Sequence, residues 1–251
     1  MNDTDSLLTR YAIRLGDDAM VHGQRLCEWS SNAPTLEEDL ALANVALDYL
    51  GRARMLYSLA GNLCGQSEDE LAFTRDTRAF QNLLILELPR GDFAFTLVRQ
   101  FLLDEFEHLF FDALTASANE MLAAIAGKTR KEVAYHRRRS QEWLRRFGLG
   151  TAESARRAQA ALDTLWGYVD EMFAVDDLEA TLIAEGIAAD RAVLRATWQA
   201  AVTHAIEAAA LTVPDTTWRI EGGRQGLHTE HLGHLLSEMQ FMQRAYPGLS
   251  W

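Results

Sequence analysis

Apolar residues recur along this chain at alternating spacings of four and three, the period of a helix with one buried face. Leu8, Ala12, Leu15, Ala19, His22, Leu26 and Trp29 form the first such seam and predict a helix from about Asp5 to Ser31. Asn32 to Pro34 break it. Thr35 with Glu38 three residues on has the capping-box pattern and predicts a second helix through Leu47, Leu50 and Leu56 to about Gly65. Residues 66–92 predict a connection with one or two short helices. Ser67 and Glu70 repeat the box there, Pro89 and Gly91 stop whatever precedes them, and Asp92 caps the next long helix.

The third long segment, about Phe93 to Ala126, is apolar on most sides, with Phe95, Leu97, Val98, Phe101 to Leu103, Phe106 and Leu109 to Phe111. A helix of that kind is central and buried. At 1.5 Å per residue it would span roughly 50 Å, ended by Gly127. A fourth helix to about Phe147 carries Val133, His136, Ser140, Trp143 and Phe147 on one seam. Gly148 and Gly150 break it, and Thr151 caps a fifth helix through Leu162, Trp166 and Phe173. A sixth is expected from about Leu178 to Leu211 with a bend near Gly186. Residues 212–228 read as an irregular loop, and Thr229 caps a last helix to about Tyr246. The pattern contains no repeat and no strand signal. It predicts an all-α chain, a ferritin-like helical bundle with additional C-terminal helices, and, without a Gly-, Ser- or Pro-rich interior linker, one domain over 1–251.

Composition narrows the partners. The 251 residues are 48% hydrophobic, enough for a sizeable core, and the net charge of −12 argues against nucleic acid or an anionic membrane. The charge is uneven: residues 128–157 hold ten Lys or Arg against three Glu, a local +7 that leaves −19 for the rest. Arg137, Arg138 and Arg139 fan across about 200° of a helix, and with His136 and Ser140 on the inward seam they predict a surface that docks an acidic partner. Two cysteines without metal spacing, no apolar run of membrane-spanning length and no signal-like start fit a soluble cytoplasmic protein.

A bundle core is a common place for a di-iron carboxylate site. Such a site needs a Glu from each of two helices and a Glu-x-x-His pair from each of the other two; the spacing sets both ligands on one helical face. Of the seven His, only His108 has an acidic residue three positions earlier, Glu105. A two-motif site is therefore absent, and a buried Glu105 is expected to be neutralised by an Arg or His. Asp48, with Arg52 one turn on as its pair, His22, and Glu132 one turn before His136 are further polar groups on apolar helices. Asp48, Glu105, His108, Glu132 and His136 together read as a degenerate bundle-core site. The alternative is an irregular metal-binding oxidoreductase site built from the same five residues; a helical binding module is a third reading. His228, His231 and His234 at the start of the last helix read as solvated side chains.

Tyr11-Ala-Ile-Arg-Leu-Gly-Asp-Asp-Ala, Leu47-Asp-Tyr-Leu-Gly-Arg-Ala-Arg, Asp104-Glu-Phe-Glu-His, the Trp218 to Gly226 loop and the closing Tyr246-Pro-Gly resemble the phenylacetic acid catabolic proteins over nearly the whole chain. The resemblance implies a multicomponent oxygenase that epoxidises the ring of phenylacetyl-CoA. In it a ferritin-like catalytic subunit holds the di-iron centre. A metal-free paralogue, the type this chain is most similar to, pairs with that catalytic chain and supports its fold. The resemblance further implies no cofactor in this chain, di-iron in the partner, and contacts with other components of the epoxidase or with itself. The family's Glu-x-x-His motifs would fall near Asp48, where Gly51 stands in the His position, and near Glu132, where Tyr135 does. Glu105 would be the third-helix carboxylate and its own Glu-x-x-His incidental.

Overall fold

The computed structural model describes residues 3–249, and among these no strand occurs. The α-helices run in the order α1 (Asp3–Cys27), α2 (Leu36–Cys64), α3 (Glu68–Phe73), α4 (Leu84–Glu87), α5 (Phe93–Leu114), α6 (Glu120–Leu149), α7 (Ala152–Leu165), α8 (Asp177–Ala184), α9 (Arg195–Ala208), α10 (Glu230–Met239) and α11 (Phe241–Ala245). The all-α, ferritin-like pattern expected from the seams is present, with two long helical hairpins, α1–α2 and α5–α6, and shorter helices after them. By internal packing the chain gathers into two compact units, Met1–Pro89 with Glu221–Trp251, and Arg90–Ile220.

In the first unit, α1 and α2 lie antiparallel. Their approach is close because glycines face large side chains: a Cβ on Gly16 would stand 2.6 Å from the Tyr57 ring, and one on Gly23 would stand 3.1 Å from the Leu50 side chain. Thr35 and Ser67 cap as their patterns predict, while Thr229 stands at the N-cap position of α10 without a side-chain cap bond. The Thr35 hydroxyl accepts from Glu38 N, Gly65 closes α2 in the left-handed region, and Ser67 with Glu70 forms a reciprocal box. Helix α1 ends at Cys27, four residues earlier than expected, and Trp29 is buried from within the turn beyond it. Leu36, Leu40 and Leu47 share the outer side of α2 and are 72%, 57% and 64% exposed.

In the second unit α5 is buried on every side from Leu97 to Glu107, as an all-round apolar helix should be. Its length differs from expectation. The helix stops at Leu114, because the Ser117 hydroxyl donates to Ile187 O and Ala118 N donates to Gly186 O, which pull the chain aside. Asn119 then caps α6 by accepting from Leu122 N, and Gly127 lies inside α6, where a glycine costs only about 1 kcal/mol relative to Ala. Val133, His136, Ser140 and Phe147 form the buried seam of α6 with Leu144, while Trp143 is half-buried beside it. The expected sixth helix is interrupted: α8 ends at Ala184, residues 185–191 form a loop, and α9 starts at Arg195. A buried Arg191–Glu179 pair at 2.6 Å holds this loop against α8. The Trp198 indole donates to Leu102 O at 3.1 Å, which fixes α9 on α5.

Candidate functional site

The candidate residues divide between the two units. Asp48 is half-buried on α2. Arg52, one turn on, is buried with its guanidinium 4.4 Å above the Tyr49 ring, and the His22 ring meets the same Tyr49 edge-on at 4.7 Å. A delocalised cation over an aromatic face is a favourable way to bury an arginine.

Glu105, His108, Glu132 and His136 all belong to the second unit, on α5 and α6. Glu105 is buried, and one of its carboxylate oxygens accepts from both Arg137 Nε at 2.9 Å and Gln141 Nε2 at 2.5 Å. The neutralising arginine expected from burial is therefore Arg137, one of the three assigned to a docking fan. It is half-buried and turned inward; Arg139 is half-buried, and Arg138 alone of the three is exposed, its guanidinium 5.8 Å over the Tyr135 ring.

His108 is half-buried one turn after Glu105. Burial lowers its pKa, and Arg137 adds to the effect against the opposing pull of Glu105, so the imidazole is neutral at pH 7. Glu132 forms an i,i+4 pair with Lys128 at 3.1 Å. His136 is buried, and one turn on the Ser140 hydroxyl donates to Arg137 O at 3.2 Å.

Asp104 is a member of this polar group that the helix period alone did not single out. It is fully buried and accepts from Gln100 Nε2 at 2.6 Å. Burial, with Glu107 and Glu105 near it, raises its pKa well above the carboxylate range, against the hydrogen bonds from Ser140 and Gln100. The signal was present in the sequence as two adjacent acids, Asp104 and Glu105, inside the most apolar helix.

As a donor set these groups do not fit a di-iron centre. Glu105 is tied to a guanidinium and an amide, Gly51 adds no side chain at the first motif, and Tyr135 at the second is 46% exposed with Arg138 against it. Among the described residues no group of three or more His, Cys, Asp or Glu is placed to hold a metal ion.

Of the three histidines, His234 is exposed as expected and His231 is half-buried, but His228 departs from the expectation. His228 is buried, not solvated: its Nδ1 lies 2.7 Å from Glu87 and its Nε2 2.8 Å from Phe80 O. Both neighbours are acceptors, so the ring satisfies both only as imidazolium. Burial opposes that charge, but the bonds to Glu87 and Phe80 outweigh it and raise the pKa. Thr229 N donates to Glu87 at 2.5 Å, and Asn82 at 3.0 Å. This cluster is structural.

No helix among the described residues is long and apolar enough to cross a membrane. The C subunit of 1,2-phenylacetyl-CoA epoxidase from Escherichia coli (strain K12) is 49% identical over 245 residues, which covers 97% of this chain and 99% of that one. A family model described as phenylacetic acid catabolic protein matches residues 1–251. End-to-end agreement of both kinds shows that the chain belongs to the phenylacetic acid catabolic protein family.

Proposed function

We propose that this chain is the C-type subunit of a phenylacetyl-CoA epoxidase, a cytoplasmic non-catalytic partner that pairs with the di-iron catalytic chain and supports its fold. The observation that carries the reading is the 49% identity running the length of both chains to a protein of that name. The polar interior agrees with it. A carboxylate clamped by Arg137 and Gln141, an Asp104 bonded to Gln100 with its pKa raised by burial, and a neutral His108 make a hydrogen-bonded core rather than a set of open metal donors. A helical subunit of this kind acts by covering an apolar face of its partner, as obligate interfaces do.

Co-expression with the di-iron subunit tests the proposal. The two chains should co-purify as a stable complex, raise each other's soluble yield, and carry iron only in proportion to the partner. Absence of association at micromolar concentration overturns the pairing. Stoichiometric iron or manganese in this chain alone, after metal loading, overturns the non-catalytic part and favours an irregular metal site.

A further inference from the structure

The most cationic segment of the chain lies on α6, and its geometry differs from what three consecutive arginines suggest. Arg137 is spent on Glu105, and Arg130 on Asp112 at 2.7 Å. On this helix the exposed cations that make no ion pair among the described residues are Lys131, Arg138 and Arg145. They recur every seven residues. On a helix that spacing places them in one nearly straight row, about 10 Å apart and about 20 Å from end to end.

The row is flanked on the same face by Tyr135 and by Leu149, which is 57% exposed. At its C-terminal end Glu142, Arg145, Arg146, Leu149 and Gly150 line a depression of about 550 Å³. Arg and Tyr in contact, with an exposed Leu and a recess beside them, are the composition of a protein–protein contact centre. Glu142, weakly engaged by Arg146 at 4.0 Å, is the one acid along the row.

Charge decides the occupant. A chain at −12 that gathers a local +7 on one segment would be more soluble with those cations dispersed. Concentrated in a row, they attract an elongated acidic surface, whereas two copies of this chain paired through this face by a two-fold axis would set row against row and repel. We infer that the outer face of α6, the Lys131–Arg138–Arg145 row with Tyr135 and Leu149, docks an acidic face of another protein of the epoxidase complex. The inference rests on the reading that this chain is an epoxidase subunit.

The test uses the full chain and the remaining purified epoxidase subunits, with association rates measured at low and at high salt. The triple variant Lys131→Glu, Arg138→Glu, Arg145→Glu is compared with a control of equal charge change at exposed positions of the first unit, Arg10→Glu, Arg54→Glu, Arg78→Glu. The row variant is expected to associate about tenfold or more slowly at low salt, with the gap closing at high salt as screening shortens the field. The control should lose much less, and circular dichroism should show both variants folded. If wild type and row variant associate alike at both salt concentrations, the inference fails while the proposed membership of the complex stands. If wild type associates with none of the subunits, that membership fails and the inference with it. Loss of phosphatidylserine vesicle binding, or of salt-sensitive self-association, in the row variant with its complex formation unchanged would assign the face to a membrane or to a second copy and overturn it.

Discussion

The acids of the first unit and the adjacent acids of α5 in the second are held in opposite ways. In the first, each acid is met by groups from far along the chain. Asp17 accepts from Arg75, from the Tyr57 hydroxyl at 2.6 Å and from Gln81 N at 2.8 Å. Asp18 takes both terminal nitrogens of Arg224, at 3.0 and 2.7 Å, and Leu83 N at 2.8 Å. Glu87 takes His228, Thr229 N and Asn82, while its own carbonyl accepts from Arg25 at 2.7 Å. These acids fasten irregular segments, whose backbone donors need partners, onto α1 and α4. In the second unit Asp104 and Glu105 sit side by side on one helix and are met by neutral or half-exposed groups of α5 and α6. A short acidic motif on a helix can thus be the less consequential of two buried systems, and isolated acids can be the principal ones.

Substitutions should grade this contrast. Asp17→Ala is expected to have the largest effect. It strands the Arg75 guanidinium, the Tyr57 hydroxyl and Gln81 N inside the first unit, and breaking a buried pair of that kind costs about 4 kcal/mol by urea denaturation. His228→Ala leaves Glu87 with two partners in place of three and should cost about 3 kcal/mol. It should also raise amide exchange across residues 221–240.

This second site carries a pH signature. The folded pKa of His228 is raised, so its contribution is fully present below the ordinary histidine value of about 6.5 and is lost as pH rises through the higher folded value. Wild-type stability should therefore fall over that window more steeply than that of His228→Gln. A loss identical in both proteins would show that Glu87 does not hold an imidazolium.

Effects in the second unit should be smaller. Glu105→Gln removes one charge-assisted bond, but Arg137 is partly solvated and the cost is about 1 kcal/mol. Asp104→Asn should be the mildest. Because its folded pKa is raised, the native protein loses stability as pH rises above about 3.9, the ordinary value of the unfolded chain. The amide variant escapes that loss, so it should match wild type near pH 4 and be at least as stable at pH 7. A large destabilisation at pH 7 would mean that Asp104 is ionised and that the two units are more alike than their bonding suggests.

Much of the architecture is legible in local signals. Thr35, Ser67, Asp92 and Thr151 cap the helices they are expected to cap, because a cap is satisfied within three residues of itself. The break after Leu114 cannot be read in that way. It is set by Ser117 and Ala118 bonding to residues about seventy positions away, while Gly127, the conspicuous local stop, is carried through by its helix. At the site, the period places Glu105 and His136 inside but gives Arg137 to the surface. An arginine on the flank of a buried seam can reach either way, and the carboxylate that turns it inward lies on another helix. The burial of His228 is hidden for a related reason: its surroundings in sequence are polar, and its partner Glu87 is 141 positions earlier. The seven-residue row of cations is open to inspection, but consecutive arginines draw more notice than spaced ones.

The discontinuity of the first unit bears on how the chain is made. Translation delivers α1, α2 and α4 first, then the whole of Arg90–Ile220, and only afterwards Arg224, His228 and the helix α10 that complete the first unit. At ordinary elongation rates the interval is on the order of ten seconds. Throughout it Asp18 lacks Arg224 and Glu87 lacks His228, while the second unit, continuous in sequence, has all of its own residues at hand. Birth order therefore runs against chain order: the later segment can mature first, and the α1–α2 hairpin completes its unit only after the segment that carries Arg224 and His228 has been made.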